Sequence, residues 1–255
     1  MKPYWSSEQH GLSIYHGDCL AILPQLGREF DLCLTDPPYG IPAGSAFVRR
    51  GGFVVEDWSD AGQNVMVDGW LPLVAFGDPA YCVEFGNCSP EATVKRIARH
   101  EAAGLIPWRQ LSIVKRTPTP TPRPTFTFGW ETALVSFHGK RQWFGGGATP
   151  DRWIGCTPNR LGVGIHPTQK PLEPLVMWMK ALTAPTHTVI DPFLGSGTTL
   201  VACYRLGRQG VGIEISEEYC ELAATRLEKE IAQGRLFEPG ETAPKAVQTT
   251  LAAQP

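Results

Sequence analysis

The chain has 255 residues, 42% hydrophobic and 19% charged, enough apolar side chain for one sizeable core and at most a small appended lobe. No apolar run approaches the roughly 18 to 20 residues that span a bilayer, and the first 20 residues lack a basic start followed by an apolar segment, so a soluble, cytoplasmic protein with no membrane partner is expected. The formal net charge of -2 gives no global sign of a nucleic-acid partner, and seven cysteines without a CxxC pair read as reduced thiols, not as metal ligands or a disulfide framework.

Phe30–Thr35 is a short, mostly apolar run that ends abruptly in Asp36-Pro37-Pro38-Tyr39-Gly40, which no strand or helix interior tolerates. It reads as a buried strand feeding a loop. Residues 81–85 look like another strand, and Ser89-Pro90-Glu91 opens a helix with a cap and a first-turn proline before Gly104 stops it. Residues 111–114 and 132–137 are further strand candidates. Residues 117–124 alternate proline with threonine or arginine and predict an extended connection. Residues 142–164, rich in glycine, tryptophan and arginine and without periodicity, read as a surface lobe. Residues 171–182 carry apolar side chains at 172, 175, 176, 179 and 182, one face of a helix whose prolines stay in the first turn. Thr188–Asp191 is again a buried strand, 192–197 a turn, and Thr198–Leu206 a helix closed by Gly207. Residues 211–214 make a further strand, after which Ser216 caps a helix with Glu217 and Glu218 in its first turn, where acids suit the dipole. Alternating strands and helices predict an α/β protein with a parallel sheet.

Asp191-Pro192-Phe193-Leu194-Gly195-Ser196-Gly197-Thr198-Thr199 lies where a nucleotide-like ligand binds in an open parallel sheet, at the carboxyl end of a strand and the start of a helix. Gly195 and Gly197 would let the backbone approach the ligand. Glu214 ends the next strand, where an acid accepts hydrogen bonds from ribose hydroxyls in dinucleotide-binding folds. The turn is not GxGxxG and no P-loop lysine follows, so an adenosyl ligand without phosphates is favoured. Asp36-Pro37-Pro38-Tyr39 offers different chemistry. An exocyclic base amine set against this loop would give its two hydrogens to the Asp36 carboxylate and the Pro37 carbonyl. That draws the nitrogen out of planar conjugation and aims its lone pair at a methyl sulfonium. Tyr39 would stack on the base, which has to be flipped out of a duplex at a cost of about a few kcal/mol. The bland alternative is a rigid turn that only stops the strand.

Together with His166-Pro167-Thr168-Gln169-Lys170-Pro171 downstream, then the Asp191 turn, Gly212-Ile213-Glu214, Tyr219 and Arg226-Leu227, the loop makes the chain resemble the DNA amino-methyltransferases. The catalytic motif precedes the cofactor motif, the permuted order of that family's beta group, common among bacterial and phage adenine and cytosine-amino enzymes. The resemblance covers residues 12–40 and 166–228 and extends more loosely over 81–138. It implies a Rossmann-like class I methyltransferase fold: a mostly parallel seven-stranded sheet with helices on both faces and a small recognition insertion at 142–164. One domain would span 1–237, with a catalytic half at about 12–140, a cofactor half at about 165–237, and a tail at 238–255. The implied cofactor is S-adenosylmethionine, held by Asp18, Cys19, Asp36, Thr168, Lys170, Asp191, Pro192, Phe193, Gly195, Ser196, Gly197, Thr198 and Glu214. Among these, Asp18 would meet the adenine amino group, Phe193 would line the adenosine pocket, and Thr168 and Lys170 would approach the methionine end. The implied catalytic residues are Asp36, Pro37, Pro38 and Tyr39. His166 has no carboxylate or cysteine partner in the sequence and is read as structural.

Double-stranded DNA is the implied substrate. Residues 86–166 hold eleven lysines and arginines against four acids. Of these, Lys115, Arg116, Arg123, Lys140 and Arg141 are expected at phosphates, while Arg152 and Arg160, near Trp143 and Trp153, are expected to read bases. The family tends to place Asp or Asn first in the catalytic motif for adenine and Ser for cytosine, so Asp36 favours N6 of adenine. Cytosine N4, an RNA amine, a protein glutamine and an inactive DNA-binding relative stay open, as do a cognate restriction endonuclease and a homodimer as partners.

Overall fold

A computed structural model describes residues 1–38, 69–86, 88–119, 128–158 and 169–234. The runs that are apolar on both faces form the middle of a sheet. β1 (Trp5–Ser7), β2 (Leu12–His16), β3 (Phe30–Thr35), β4 (Phe76–Gly86), β5 (Ile106–Thr119), β6 (Phe128–His138), β7 (Arg152–Gly155), β8 (Thr188–Asp191) and β9 (Gln209–Glu214) pair in the order β1-β2-β9-β8-β3-β4-β6-β5-β7. β3, β8 and β9 are buried on both faces over nearly their whole length, as parallel strands covered on two sides must be. β2, β9, β8, β3 and β4 are mutually parallel, β6 is antiparallel to β4 and β5, and β7 runs parallel to β5. The expected seven-stranded sheet therefore runs from β2 to β5, and β1 and β7 add a short strand at each edge. β7 is a finding against expectation, since it lies inside the stretch that reads as irregular lobe.

Helices α1 (Cys19–Ile22), α2 (Pro90–Ala102), α3 (Leu172–Leu182), α4 (Thr198–Leu206) and α5 (Glu217–Gln233), with short 3-10 turns at Glu8–His10, Leu23–Gln25 and Leu71–Leu73, complete the described elements. Side chains alternate along the strands, so each face carries its own core. Leu32, Leu34, Val83 and Ile113 pack with Leu175, Trp178, Leu200 and Leu227 of α3, α4 and α5. On the other face Cys33, Cys82 and Ile190 pack with Cys19 and Ile22 of α1 and with Trp70 and Leu71. No helix among the described residues is long and apolar enough to cross a membrane.

The start and stop signals act as read. Ser89 Oγ accepts from Ala92 N at 3.2 Å, Ser216 Oγ accepts from Tyr219 N at 3.4 Å, and Gly207 ends α4 at φ 68°. From β8 the chain passes through α4 to β9 on one side, while β3 has β4 on its other side. The carboxyl ends of β3 and β8 thus flank the point where the connections diverge, where open α/β sheets form a crevice.

Candidate active site

Four acids stand at the carboxyl edge of four neighbouring parallel strands: Asp18 just after β2, Glu214 ending β9, Asp191 ending β8 and Asp36 just after β3. At about 4.8 Å per strand the row spans roughly 14 Å. At its far end Gly17 N donates to the Glu214 carbonyl at 2.9 Å, which sets the Gly17-Asp18 turn beside Glu214. Asp18 caps α1 by accepting from Leu20 N at 2.9 Å. Cys19 is buried, and burial pushes its thiol up to about 12, so it serves as a neutral wall.

Glu214 is almost buried. Its Oε2 accepts from Gly195 N at 2.8 Å and its Oε1 from Ser216 N at 2.9 Å, so the carboxylate ties the Asp191 turn to the start of α5. Burial raises its carboxyl above the ordinary range, and the backbone donors pull it back. Asp191 is buried as well. Burial raises its carboxyl to about 6 against Thr35 Oγ1, which donates at 2.7 Å, and Phe193 N, which donates at 3.1 Å. Within the turn Gly195 has φ 52° and Gly197 φ 79°, left-handed conformations that favour glycine. A Cβ on Gly197 would stand 2.9 Å from Ala223 Cβ, so the absence of a side chain here admits α5. Arg226 of α5 supports the turn, its Nη1 donating to Ser196 O and Thr198 Oγ1 at 2.9 Å each.

Between β3 and β8 opens a cleft of about 490 Å³, mouth included. Thr35, Asp36, Asp191, Ser196, Thr198 and Thr199 give it polar lining, and Phe85, Leu175 and Phe193 give it apolar walls. Phe193 is braced edge-on by Trp70, their ring centroids 5.4 Å apart. Lys170 enters from the segment before α3 and forms an ion pair with Asp36 Oδ2. Its Nζ also lies 3.3 Å from Glu131 Oε2 and 5.3 Å from the Phe85 ring centroid.

In sequence and in fold the chain is similar to known proteins. The family described as DNA methylase, labelled for N6 and N4 methyltransferases, matches residues 115–225. Type II methyltransferase M.ScaI of Streptomyces caespitosus is 27% identical over 260 residues, spanning 90% of this chain and 84% of that protein. The crystal structure of an M1.HpyAVI-SAM complex superposes with a TM-score of 0.64 at 26% identity, covering 85% of this chain and 98% of that one. The chain is similar to DNA amino-methyltransferases in sequence and in fold. PvuII DNA methyltransferase, cytosine-N4-specific, has the same fold, with a TM-score of 0.60 at 18% identity over 91% of this chain and 93% of that one.

The residues expected at the site divide into three groups by their placement. Asp36, Lys170, Asp191, Phe193, Gly195, Ser196 and Thr198 share the one cleft. Pro37 is buried and Pro38 half-buried behind Asp36, Pro192 is buried, and Asp18, Cys19 and Glu214 extend the site toward β2. Tyr39, Arg123, Arg160, His166 and Thr168 lie outside the described residues.

Two expectations for DNA contacts do not survive the geometry. Lys115 is only 15% exposed and pairs with Glu131 Oε1 at 2.7 Å, so its charge is spent inside the protein. Lys140 and Arg141 follow the wrong end of β6. Thr35 is level with Glu84 and Leu134, whereas His138 pairs with Ala80 at the other end of β4. Four residues at about 3.3 Å each put them at least roughly 13 Å along the sheet from Asp36, at its opposite edge. There Arg141 stacks over Trp108, 4.7 Å from the ring centroid. Arg116 is exposed toward the carboxyl end of β5, and Arg152 is exposed on β7 opposite Ser112. Trp153 packs against the core, away from the lobe surface expected of it.

Sequence reasoning missed Thr35, Phe85, Thr199, Glu131 and Arg226 as site residues. Thr35 directly precedes the Asp36 loop, so adjacency was its signal, and Thr199 is the last residue of the motif that begins at Asp191. Glu131 is a lone acid in an otherwise uncharged strand, a pattern that marks a buried partner without naming it.

Proposed function

We propose that the chain is a DNA amino-methyltransferase that transfers the methyl group of S-adenosylmethionine to N6 of adenine in duplex DNA. The observation that carries adenine is Asp36 itself, a carboxylate first in the catalytic motif, at the mouth of the cleft and held by Lys170. The residues present fit the methyl donor. Buried carboxylates at Glu214 and Asp191 and the Asp18 turn suit the hydroxyls and amino groups of an adenosyl amino acid, Phe193 gives an apolar wall, and the carboxylates suit a cation. When bound, S-adenosylmethionine supplies an electrophilic methyl group on a sulfonium.

The chain's own residues then act on the amine. Asp36 and the Pro37 carbonyl accept its two hydrogens, which localises the nitrogen lone pair and fixes its direction. The lone pair so directed would take up the methyl group that the donor supplies, and the nitrogen would afterwards shed one proton to water. Tyr39 is the proposed stacking partner for the flipped base, and Thr168 a partner for the methionine end. Arg116 is the proposed phosphate contact among the described residues, with Arg123, Arg152 and Arg160 as further contacts. Modification-sensitive sequencing of plasmid DNA from cells expressing the protein tests this reading, because it returns base and site together. N6-methyladenine at a defined sequence is expected; N4-methylcytosine or unmodified DNA would overturn the adenine reading.

A further inference from the structure

Glu131 belongs to no motif read from the sequence. It sits on β6 on the face that Ala133 and Val135 bury against α3 and α4, an apolar setting in which a carboxylate needs partners. It has two. Oε1 lies 2.7 Å from Lys115 Nζ on the neighbouring strand, and Oε2 lies 3.3 Å from Lys170 Nζ. Lys170 in turn pairs with Asp36 Oδ2. The four side chains are between 10% and 27% exposed, so their mutual charges are only partly screened.

We infer that Glu131 is a positioning residue for methyl transfer: anchored by Lys115, it holds Lys170 between two carboxylates, so that Asp36 keeps its aim and its negative field at the target amine. This rests on the reading of Asp36 as acceptor of that amine.

A lysine is a point charge on a flexible stem, and with one carboxylate partner it settles wholly on that partner. Lys170 paired with Asp36 alone would offset the charge that Asp36 must present. During transfer, positive charge leaves the donor sulfur and arrives on the amine nitrogen beside Asp36, so rate depends on the potential there. With Glu131 in place, Asp36 and Glu131 balance Lys170 and Lys115, while Asp191 faces Asp36 from the end of β8. Without Glu131 the two lysines outweigh Asp36.

The test compares wild-type protein with Glu131→Gln, Glu131→Asp, Lys170→Met and the double variant Glu131→Gln with Lys170→Met. Glu131→Gln is expected to lower kcat by roughly 10- to 100-fold, the scale of a misaimed reacting group. Its affinity for S-adenosylmethionine, measured by titration, is expected to stay within about twofold. Glu131→Asp is expected to recover most of the loss, and to carry the same test should the Gln variant not fold. A readout independent of turnover is the pH at which Lys170 becomes half-reactive toward acetic anhydride in cofactor-free protein, read by mass spectrometry. That pH is expected to fall in Glu131→Gln, because the ammonium loses one of the carboxylates that hold its proton. In the double variant the loss is expected to match Lys170→Met alone, since Glu131 acts through Lys170. Unchanged kcat and labelling, or fully additive losses, in variants of an active enzyme would overturn this inference alone. Wild-type protein that methylates no DNA would overturn the proposed function, and this inference with it.

Discussion

Asp191 lines the candidate cleft and Glu131 stands behind its Lys170, and burial raises both carboxyls, yet they end at opposite extremes. Asp191 faces hydroxyl and amide donors and Asp36, and settles at about 6. Glu131 faces Lys170 and Lys115, which overcome burial and hold it at about 2. The consequences for stability have opposite signs. Asp191 binds its proton more tightly folded than unfolded, so its contribution falls as pH rises from the ordinary 3.8 through about 6. The contribution of Glu131 is complete above its ordinary 4.5 and lost as pH falls through about 2. Urea denaturation across pH is expected to show Glu131→Gln less stable than wild type at neutral pH, with the gap closing near the acid end of that window. A gap that persists at all pH values would mean that packing, not ion pairing, is what the glutamine lost. Asp36→Ala is expected to reduce turnover by about 10²- to 10³-fold, as for loss of one positioned electrostatic partner, while donor affinity changes by less than about twofold. Single-turnover methyl incorporation and calorimetric titration separate the two effects.

At the scale of elements, Gly197 shows how a turn can be legible while its reason is not. The sequence places a glycine turn after a buried strand, and that turn is present. The reason for Gly197 is the approach of α5 from 26 residues downstream, which no local pattern displays. Gly197→Ala combines φ 79° with contact against Ala223, and is expected to cost about 1 to 3 kcal/mol in urea denaturation. Elements with local signals were legible. β3, β8 and α4 have the bounds expected from apolar runs, a proline stop and a glycine cap. β1 and β7 were not, because three or four residues show no period and their strand character comes from the neighbours they pair with. The interior of α2 was also hidden. His100 is buried between Ser136 Oγ at 2.8 Å and Glu84 Oε2 at 2.9 Å, with Arg99 also on Glu84. Their partners lie on strands the sequence could place only coarsely. His100→Ala is expected to destabilise by about 3 kcal/mol, because it strips buried polar groups of a partner.

Over the whole molecule, the permuted order of motifs is reconciled by the sheet. β3, which leads to Asp36, and β8, which ends in Asp191, lie far apart in the chain and side by side in space, so one cleft receives both acids. Charge is distributed less simply than the sequence suggests. The basic surplus of the middle region divides among an internal pair at Lys115, an aromatic stack at the opposite edge around Arg141, and exposed arginines such as Arg116 near the cleft edge. Arg116→Ala is therefore expected to weaken DNA binding and reduce its salt slope by about one, whereas Lys140→Ala should leave both unchanged. Fluorescence anisotropy against duplex DNA over a range of salt concentrations checks both.

The central claim concerns which atom receives the methyl group. Purified protein incubated with unmethylated DNA and isotope-labelled S-adenosylmethionine, followed by digestion to nucleosides and mass spectrometry, identifies that atom directly. Labelled N6-methyldeoxyadenosine, formed about 10²- to 10³-fold more slowly with Asp36→Ala, is the expected result; label in N4-methyldeoxycytidine, or in no nucleoside, would contradict it.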